Sequence, residues 1–283
     1  CSLDQIFDAD ILSAGFPCQP FSTSGYRTGF DHNQGNVFLS ILNLIDAKNF
    51  NSLEIAWRWK SADLRLEEGV GYGTADYRAV PLMVNGTMYV NTNHGMVAAL
   101  DPISGEELWV FDPESYRFGP PIQTNIMIRG IEYWTDGYIE RIFVATLGKQ
   151  LLSLDVATGL PDPNFGDDGY IDLSQNLGRL EFEANIITAG AAPIAIGDSL
   201  IVGSKIFDYG MFNRSPPGHV RAYNTYTGEI KWRFNTIPQE GEDYTETWEN
   251  NSWRSQGNTN VWTFMSADDE AGIVYLPTST PTN

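Results

Sequence analysis

Thiol chemistry in this 283-residue chain narrows to two residues, Cys1 and Cys18. Two cysteines make neither a disulfide framework nor a Cys-rich zinc site, so the redox compartment stays open. Cys18 lies in the most specific run of the sequence, Asp10-Ile-Leu-Ser-Ala-Gly-Phe-Pro-Cys-Gln-Pro-Phe-Ser22, which differs in character from everything after about residue 46. Charge is the second chemical signal. Lys+Arg 17 against Asp+Glu 36 leaves a formal net charge of −19. Such a surface repels phosphate backbones, and nucleic-acid binding rests largely on Lys and Arg neutralising phosphates. The first 45 residues share the bias, with Asp4, Asp8, Asp10 and Asp31 against Arg27 alone. The charge therefore weighs against DNA as a partner, and the acidity by itself identifies no other.

The elements that must position any site are strands. A hydrophobic content of 42% supplies a core for one large or two ordinary domains. Gly 27, Pro 15, Trp 8 and Tyr 13 suit a turn-rich all-β chain. No apolar run reaches the length of a membrane span, and no signal peptide opens the chain. Its first residue is Cys1 rather than Met, so a missing true N-terminus is expected and the lack of a signal says little.

From Pro81 onward one phrase recurs. Two apolar strands flank a short Asn/Gly or Gly/Asp turn, as in Pro81-Leu-Met-Val-Asn-Gly-Thr-Met-Tyr-Val90, and the chain then reaches a Leu-Asp-x-x-Ser/Thr-Gly turn that often ends on Trp. The copies are Leu100-Asp101…Ser104-Gly105…Trp109, Leu154-Asp155…Thr158-Gly159, and Tyr223-Asn224…Thr227-Gly228…Trp232. Asp or Asn at the start of such a turn accepts backbone hydrogen bonds two residues on, and Gly takes the positive φ that closes the hairpin. A Trp shortly after packs over the next unit. Glycine-to-glycine spacings of 54 and 69 residues are long for one blade and imply insertions. Ile194–Val202 and Gly272–Leu276 add strands. The pattern predicts a partial β-propeller of four-stranded antiparallel blades, with a β-sandwich as the alternative.

Residues 46–283 resemble the pyrroloquinoline-quinone (PQQ) dehydrogenases, the quinoproteins. The marks are Asn49-Phe-Asn-Ser-Leu-Glu-Ile-Ala-Trp-Arg-Trp59, Val97-Ala-Ala-Leu-Asp101, Arg129-Gly-Ile-Glu-Tyr-Trp134, Pro216-Pro-Gly-His-Val-Arg-Ala222, Thr247-Trp248 and Gly272-Ile-Val-Tyr-Leu-Pro277, in the family's order. No adjacent cysteine pair is present, which points to the glucose-dehydrogenase-like branch. The resemblance implies oxidation of an alcohol or aldose with PQQ and Ca2+, electron transfer to a quinone or cytochrome, and a periplasmic location. PQQ is a flat tricarboxylate quinone, so its pocket needs an aromatic floor, cationic groups and a divalent metal. By resemblance Arg129 places a guanidinium against PQQ, Trp262 is the stacking floor, and Asp208 is an acidic calcium ligand. On residue type alone plainer readings stay open: a surface arginine, a blade-packing tryptophan and an ordinary loop acid. Asn125 stands where glucose-type members carry a histidine, and Thr280 where alcohol-type members carry a metal-ligating Asn. The family's general-base Asp has no counterpart in these 283 residues, so the expected state is a fragment without turnover. A non-enzymatic propeller scaffold is a further alternative.

About residues 8 to 45 resemble the catalytic-cysteine loop of the DNA cytosine-5 methyltransferases. Beyond Pro17-Cys18-Gln-Pro-Phe-Ser22 the likeness runs through Gly25, Gly29-Phe30-Asp31 and Gly35-Asn-Val-Phe38, with Gln34 in place of the usual Arg. The resemblance implies Cys18 as nucleophile toward a flipped-out cytosine, with S-adenosylmethionine as methyl donor. The cofactor pocket, the ring-protonating Glu and a target-recognition region are not found. Quinoproteins open on a segment that Cys1-Ser-Leu-Asp-Gln-Ile6 and Asp46-Ala-Lys-Asn49 together restore once Phe7 to Ile45 is excised. The expected organisation is therefore a quinoprotein start at 1–6, a methyltransferase-like α/β insert at 7–45, and an incomplete quinoprotein propeller at 46–283. Within the insert a strand near Asp10–Ala14, a loop at Cys18 and a helix over Val37–Ile45 are expected. Trp109 and Trp232 are expected to be buried between blades.

Overall fold

A computed structural model describes residues 48–66, 79–118, 129–146, 148–177, 187–188, 190–206 and 215–281. The expectations for residues 7–45, Cys18 among them, lie outside the described residues, as do Asn125 and Asp208.

The recurring phrase folds into recurring sheets. Strands β1 (Leu82–Val84), β2 (Thr87–Asn91), β3 (Val97–Leu100) and β4 (Glu107–Phe111) form a four-stranded antiparallel meander in that order. A second meander follows with β5 (Glu132–Thr135), β6 (Glu140–Ala145), β7 (Gln150–Asp155) and β8 (Tyr170–Asp172). Strand β9 (Ile187–Thr188) precedes β10 (Ile194–Ile196) and β11 (Ser199–Val202), and β12 (Lys205–Ile206) precedes β13 (Val220–Asn224) and β14 (Ile230–Phe234). The third four-stranded sheet has the order β10-β11-β13-β14, and β9 pairs with β12 beside it. Strands β15 (Ser266–Asp268) and β16 (Ile273–Tyr275) form a two-stranded sheet after these.

The turns form as their residues dictate. Asn85 and Gly86 both hold positive φ, 49° and 80°, the requirement of a tight two-residue hairpin. Between β3 and β4 the Asp101 carboxylate accepts from the amides of Ile103 and Ser104 at 2.9 and 2.7 Å, and the Gly105 amide reaches Asp101 O. In the next two sheets Asp155 and Asn224 likewise accept from the amides of Thr158 and Thr227, and the amides of Gly159 and Gly228 reach the carbonyls of Asp155 and Asn224.

Side chains of the central strands alternate between neighbouring blades, so both faces are buried and the strands read as continuous apolar runs. Ile142 and Val144 of β6 pack with Tyr89, Val97 and Ala99 of the first blade. Phe143 and Ala145, one residue out of phase, pack with Leu200, Val202 and Tyr223 of the third. Ile201 and Val220 then meet Val261 and Met265.

Tryptophans dock the blades at their outer strands. Trp109 donates Nε1–H to Val156 O at 3.0 Å, and its ring covers Gly159, where any Cβ would collide with the indole. Trp57, from the segment before β1, treats Pro102 O and Gly105 in the same way. At the second junction an aliphatic side chain, Ile171, stands over Gly228, and Gly166 N–H to Thr227 O at 2.9 Å takes the place of the indole bond.

The expectation for Trp232 needs correction. It is 40% exposed rather than buried, because among the described residues no Asp/Asn-x-x-Ser/Thr-Gly turn follows to receive it.

Candidate functional site

In an antiparallel meander the first and third connections lie at one end and the second connection at the other. The innermost strands β1, β5, β10 and β15 therefore begin at the same end of the blades. Their first residues converge on a cavity of about 180 Å³, walled in part by Leu82, Arg129, Glu132, Ile194 and Met265. The space lies between four consecutive sheets, where a propeller places its axis.

Arg129 lies three residues before the start of β5 and is 8% exposed. Its Nε donates to Trp262 O at 3.0 Å, and its guanidinium carbon stands 4.9 Å from the centre of the Trp262 ring, a cation–π distance. Thus the two residues assigned to one cofactor from sequence, 133 positions apart, are brought into contact. Trp262 keeps 38% of its surface exposed, so the indole has area left for a planar ligand.

The sequence around Trp262 fixes its place. Gly203 lies so close to Val261 O that no side chain fits between them. Asn260 donates Nδ2–H to Ser204 O at 2.5 Å, and Ser279 Oγ reaches Asn260 Oδ1 and Asn258 Oδ1 at 3.1 and 3.0 Å. Thr280 adds its carbonyl, which accepts from Thr259 N–H at 3.3 Å.

Arg129 differs in use from the other buried arginines. Arg141 is paired with Asp162 and donates to Thr225 O and Tyr226 O, tying the second blade to the third. Arg221 donates to Leu173 O and Gln175 O at 2.7 and 2.9 Å, across the same junction. Those two cations hold blades together, whereas Arg129 stands at the cavity.

Glu132 is the residue that sequence reasoning missed. It opens β5, lines the same cavity, and accepts from Ala195 N–H of β10 at 2.9 Å. Burial pushes its carboxyl up to about 8, with the nearby Asp269 charge adding to the effect, so the group is neutral at pH 7. A lone acid in the apolar run Ile131-Glu-Tyr-Trp134 was the available signal.

No group of three or more His, Cys, Asp or Glu side chains among the described residues is arranged to hold a metal ion. No described helix is long and apolar enough to cross a membrane.

The residues fit PQQ in kind. A buried guanidinium suits a carboxylate, and an exposed indole beside it suits a flat ring.

Comparison with known proteins agrees with the fold. A family model described as the glucose/ethanol/alcohol dehydrogenase β-propeller domain, PQQ, matches residues 28–283. A second, for C-5 cytosine-specific DNA methylase, matches residues 2–51. The chain is 26% identical over 289 residues to a quinate/shikimate dehydrogenase (quinone) of Acinetobacter baylyi, covering 92% of this chain and 34% of the relative. It is 29% identical over 250 residues to the quinohemoprotein alcohol dehydrogenase ADH IIB of Pseudomonas putida, covering 84% and 32%. The chain therefore spans about a third of the length of these relatives. Among solved structures, a europium-containing methanol dehydrogenase superposes with a TM-score of 0.62 at 23% identity, over 85% of this chain and 40% of that one. The quinohemoprotein alcohol dehydrogenase of Comamonas testosteroni gives 0.57 at 24%, over 74% and 30%.

Proposed function

Because this chain belongs to the PQQ glucose/ethanol/alcohol dehydrogenase β-propeller family, we propose that it is the cofactor-holding part of a quinoprotein dehydrogenase acting on an alcohol or aldose. The observation that carries this reading is the contact between Trp262 and Arg129, which itself lines the cavity. Arg129 presents a permanently charged fork to a carboxylate of PQQ, and Trp262 offers the face on which its ring system stacks. Bound PQQ would supply a two-electron quinone acceptor for the substrate's hydroxyl carbon. The protein's own part is to orient that acceptor on a rigid frame of inner strands and to keep bulk water from the buried side.

In this proposal Asp208 supplies a carboxylate oxygen to Ca2+, a hard donor for a hard cation. The electron acceptor is a quinone or cytochrome, and the setting is the periplasm. Residues 1–6 and 46–283 form the quinoprotein portion and residues 7–45 the methyltransferase-like insert. Names of the relatives support the reaction class, since they act on quinate or shikimate and on alcohols.

A PQQ titration of the chain with calcium, followed by tryptophan fluorescence, tests the reading. Saturable binding at one site is expected; no binding up to millimolar PQQ contradicts it and favours a non-enzymatic scaffold. For the segment matched by the methylase model, labelled S-adenosylmethionine and DNA provide the test. No methyl transfer is expected, given the net charge of −19. Transfer that disappears in Cys18→Ser would establish the methyltransferase activity instead.

A further inference from the structure

Between the outer parts of the first two blades lies a groove of about 380 Å³ that shares no described lining residue with the axial cavity. Its size falls in the ordinary range of small-molecule sites, roughly 300–1,000 Å³. One wall is the 3-10 turn Ser115–Phe118 after β4; the other is Gln150, which opens β7, with Asp167 and Tyr170 at the start of β8. In the meander β4 ends and β7 begins where the innermost strands start, so groove and axial cavity belong to the same end of the blades. Both walls are fixed from behind. The Phe118 ring rests on Gly148, where any Cβ would meet it at 2.7 Å, yet Phe118 stays 60% exposed. Asp112 Oδ1 accepts from Glu114 N–H at 2.8 Å, and Ser115 Oγ donates to His94 O at 2.6 Å. Asp167 and Tyr170 exchange backbone N–H···O bonds of 2.8 and 3.1 Å.

The groove mixes hydrogen-bonding types around an aromatic surface. Gln150 Oε1 is buried and accepts no bond within the protein, an unmet acceptor of the kind that folded proteins rarely leave. Asp167 adds a carboxylate acceptor, while Arg117 and the Tyr170 hydroxyl add donors. Burial, and then the charges of Glu114 and Asp112, push the Tyr170 phenol up, so it stays protonated. An anion would meet Asp167 and a guanidinium already paired with Glu114 at 2.5 Å. A cation would meet the donors of Arg117 and Tyr170. Hydroxyl groups suit both sets, because each donates once and accepts twice. We propose that this groove is a binding site for a neutral pyranose sugar, whose C–H face lies on Phe118 and whose hydroxyls bond Gln150, Asp167 and Tyr170. The site is separate from the cofactor reading and does not depend on it.

The test uses the full chain without added cofactor and four probes: the methyl glycosides of glucose, mannose, galactose and xylose. Their blocked anomeric carbon keeps them from acting as aldose substrates. Saturation-transfer NMR and calorimetric titration are expected to show at least one of them bound, with a dissociation constant on the order of millimolar. Phe118→Ala, at an exposed ring, is expected to weaken that binding by about tenfold. Gln150→Met, which keeps the length and loses the acceptor, is expected to weaken it by about fivefold. Thermal melting of each variant confirms that it is folded.

Arg129→Ala, at the other cavity, is expected to leave glycoside affinity unchanged. Loss of binding in Arg129→Ala with none in the groove variants would move the sugar to the axial cavity and overturn the proposal. Binding of tetramethylammonium in place of every glycoside would overturn it in favour of a cation site. No binding of any glycoside up to tens of millimolar also overturns it, and leaves the cofactor reading untouched.

Discussion

At the residue scale, Glu132 couples the site to the stability of the fold. Its carboxyl is raised from 4.5 to about 8, so the sign is fixed. Below about pH 4.5 the group is protonated in both folded and unfolded chains and carries no penalty. Between there and about pH 8 the unfolded chain ionises while the folded one does not, and stability is lost as pH rises. Glu132→Gln is therefore expected to match the wild type near pH 4 and to exceed it near pH 8 by a few kcal/mol, on the order set by this linkage. Urea denaturation across this pH range checks it; a constant difference between the two proteins would mean that the carboxyl is not held neutral. Arg129 and Trp262 were legible only through family resemblance, because nothing in local sequence joins residues 133 positions apart. Glu132 offered only one signal, a lone acid in an apolar run. A single acid in an apolar strand reads as solvent-facing, and its burial is created by β10 of the neighbouring blade.

Strands and turns were the most legible level, since each Asp/Asn-x-x-Ser/Thr-Gly phrase satisfies its own backbone. The docking that joins one blade to the next was legible in part. Trp109 over Gly159 follows the expected pattern, but at the next junction Ile171 stands over Gly228, after a long turn with its own Asp162–Asn164 contacts. The docking makes a sharp demand on Gly159, which holds φ +70 directly beneath the Trp109 ring. Gly159→Ala is expected to destabilise the chain by about 1–3 kcal/mol through strain and overpacking. Trp109→Phe, which loses the bond to Val156 O and part of the ring over Gly159, should cost about 1–3 kcal/mol. Equilibrium denaturation midpoints rank the two; a neutral Gly159→Ala would show that the indole does not clamp this turn. Breaking the buried Arg141–Asp162 pair by Asp162→Ala should be more damaging, about 3–5 kcal/mol, because it strands a buried cation.

For the whole molecule, the outer strand β14 leaves Ile230, Trp232 and Phe234 on one face, 46, 40 and 52% exposed. An apolar strand face of this kind favours association, so the chain is expected to self-associate with rising concentration, and Ile230→Lys with Phe234→Glu to suppress it. Light scattering reads the difference, and a monodisperse wild type at high concentration contradicts it. The blades also do the larger work of placing four inner-strand starts around one cavity, which is how distant residues become a site. The most direct test of that account is equilibrium binding of PQQ, with calcium, to the wild type, Arg129→Ala and Trp262→Ala. Loss of the guanidinium is expected to weaken binding by about 1.5–3 kcal/mol, the scale of a hydrogen bond to a charged group. Loss of the indole is expected to weaken it further through lost stacking. Unchanged affinity in both variants would contradict the assignment of the cofactor to this cavity.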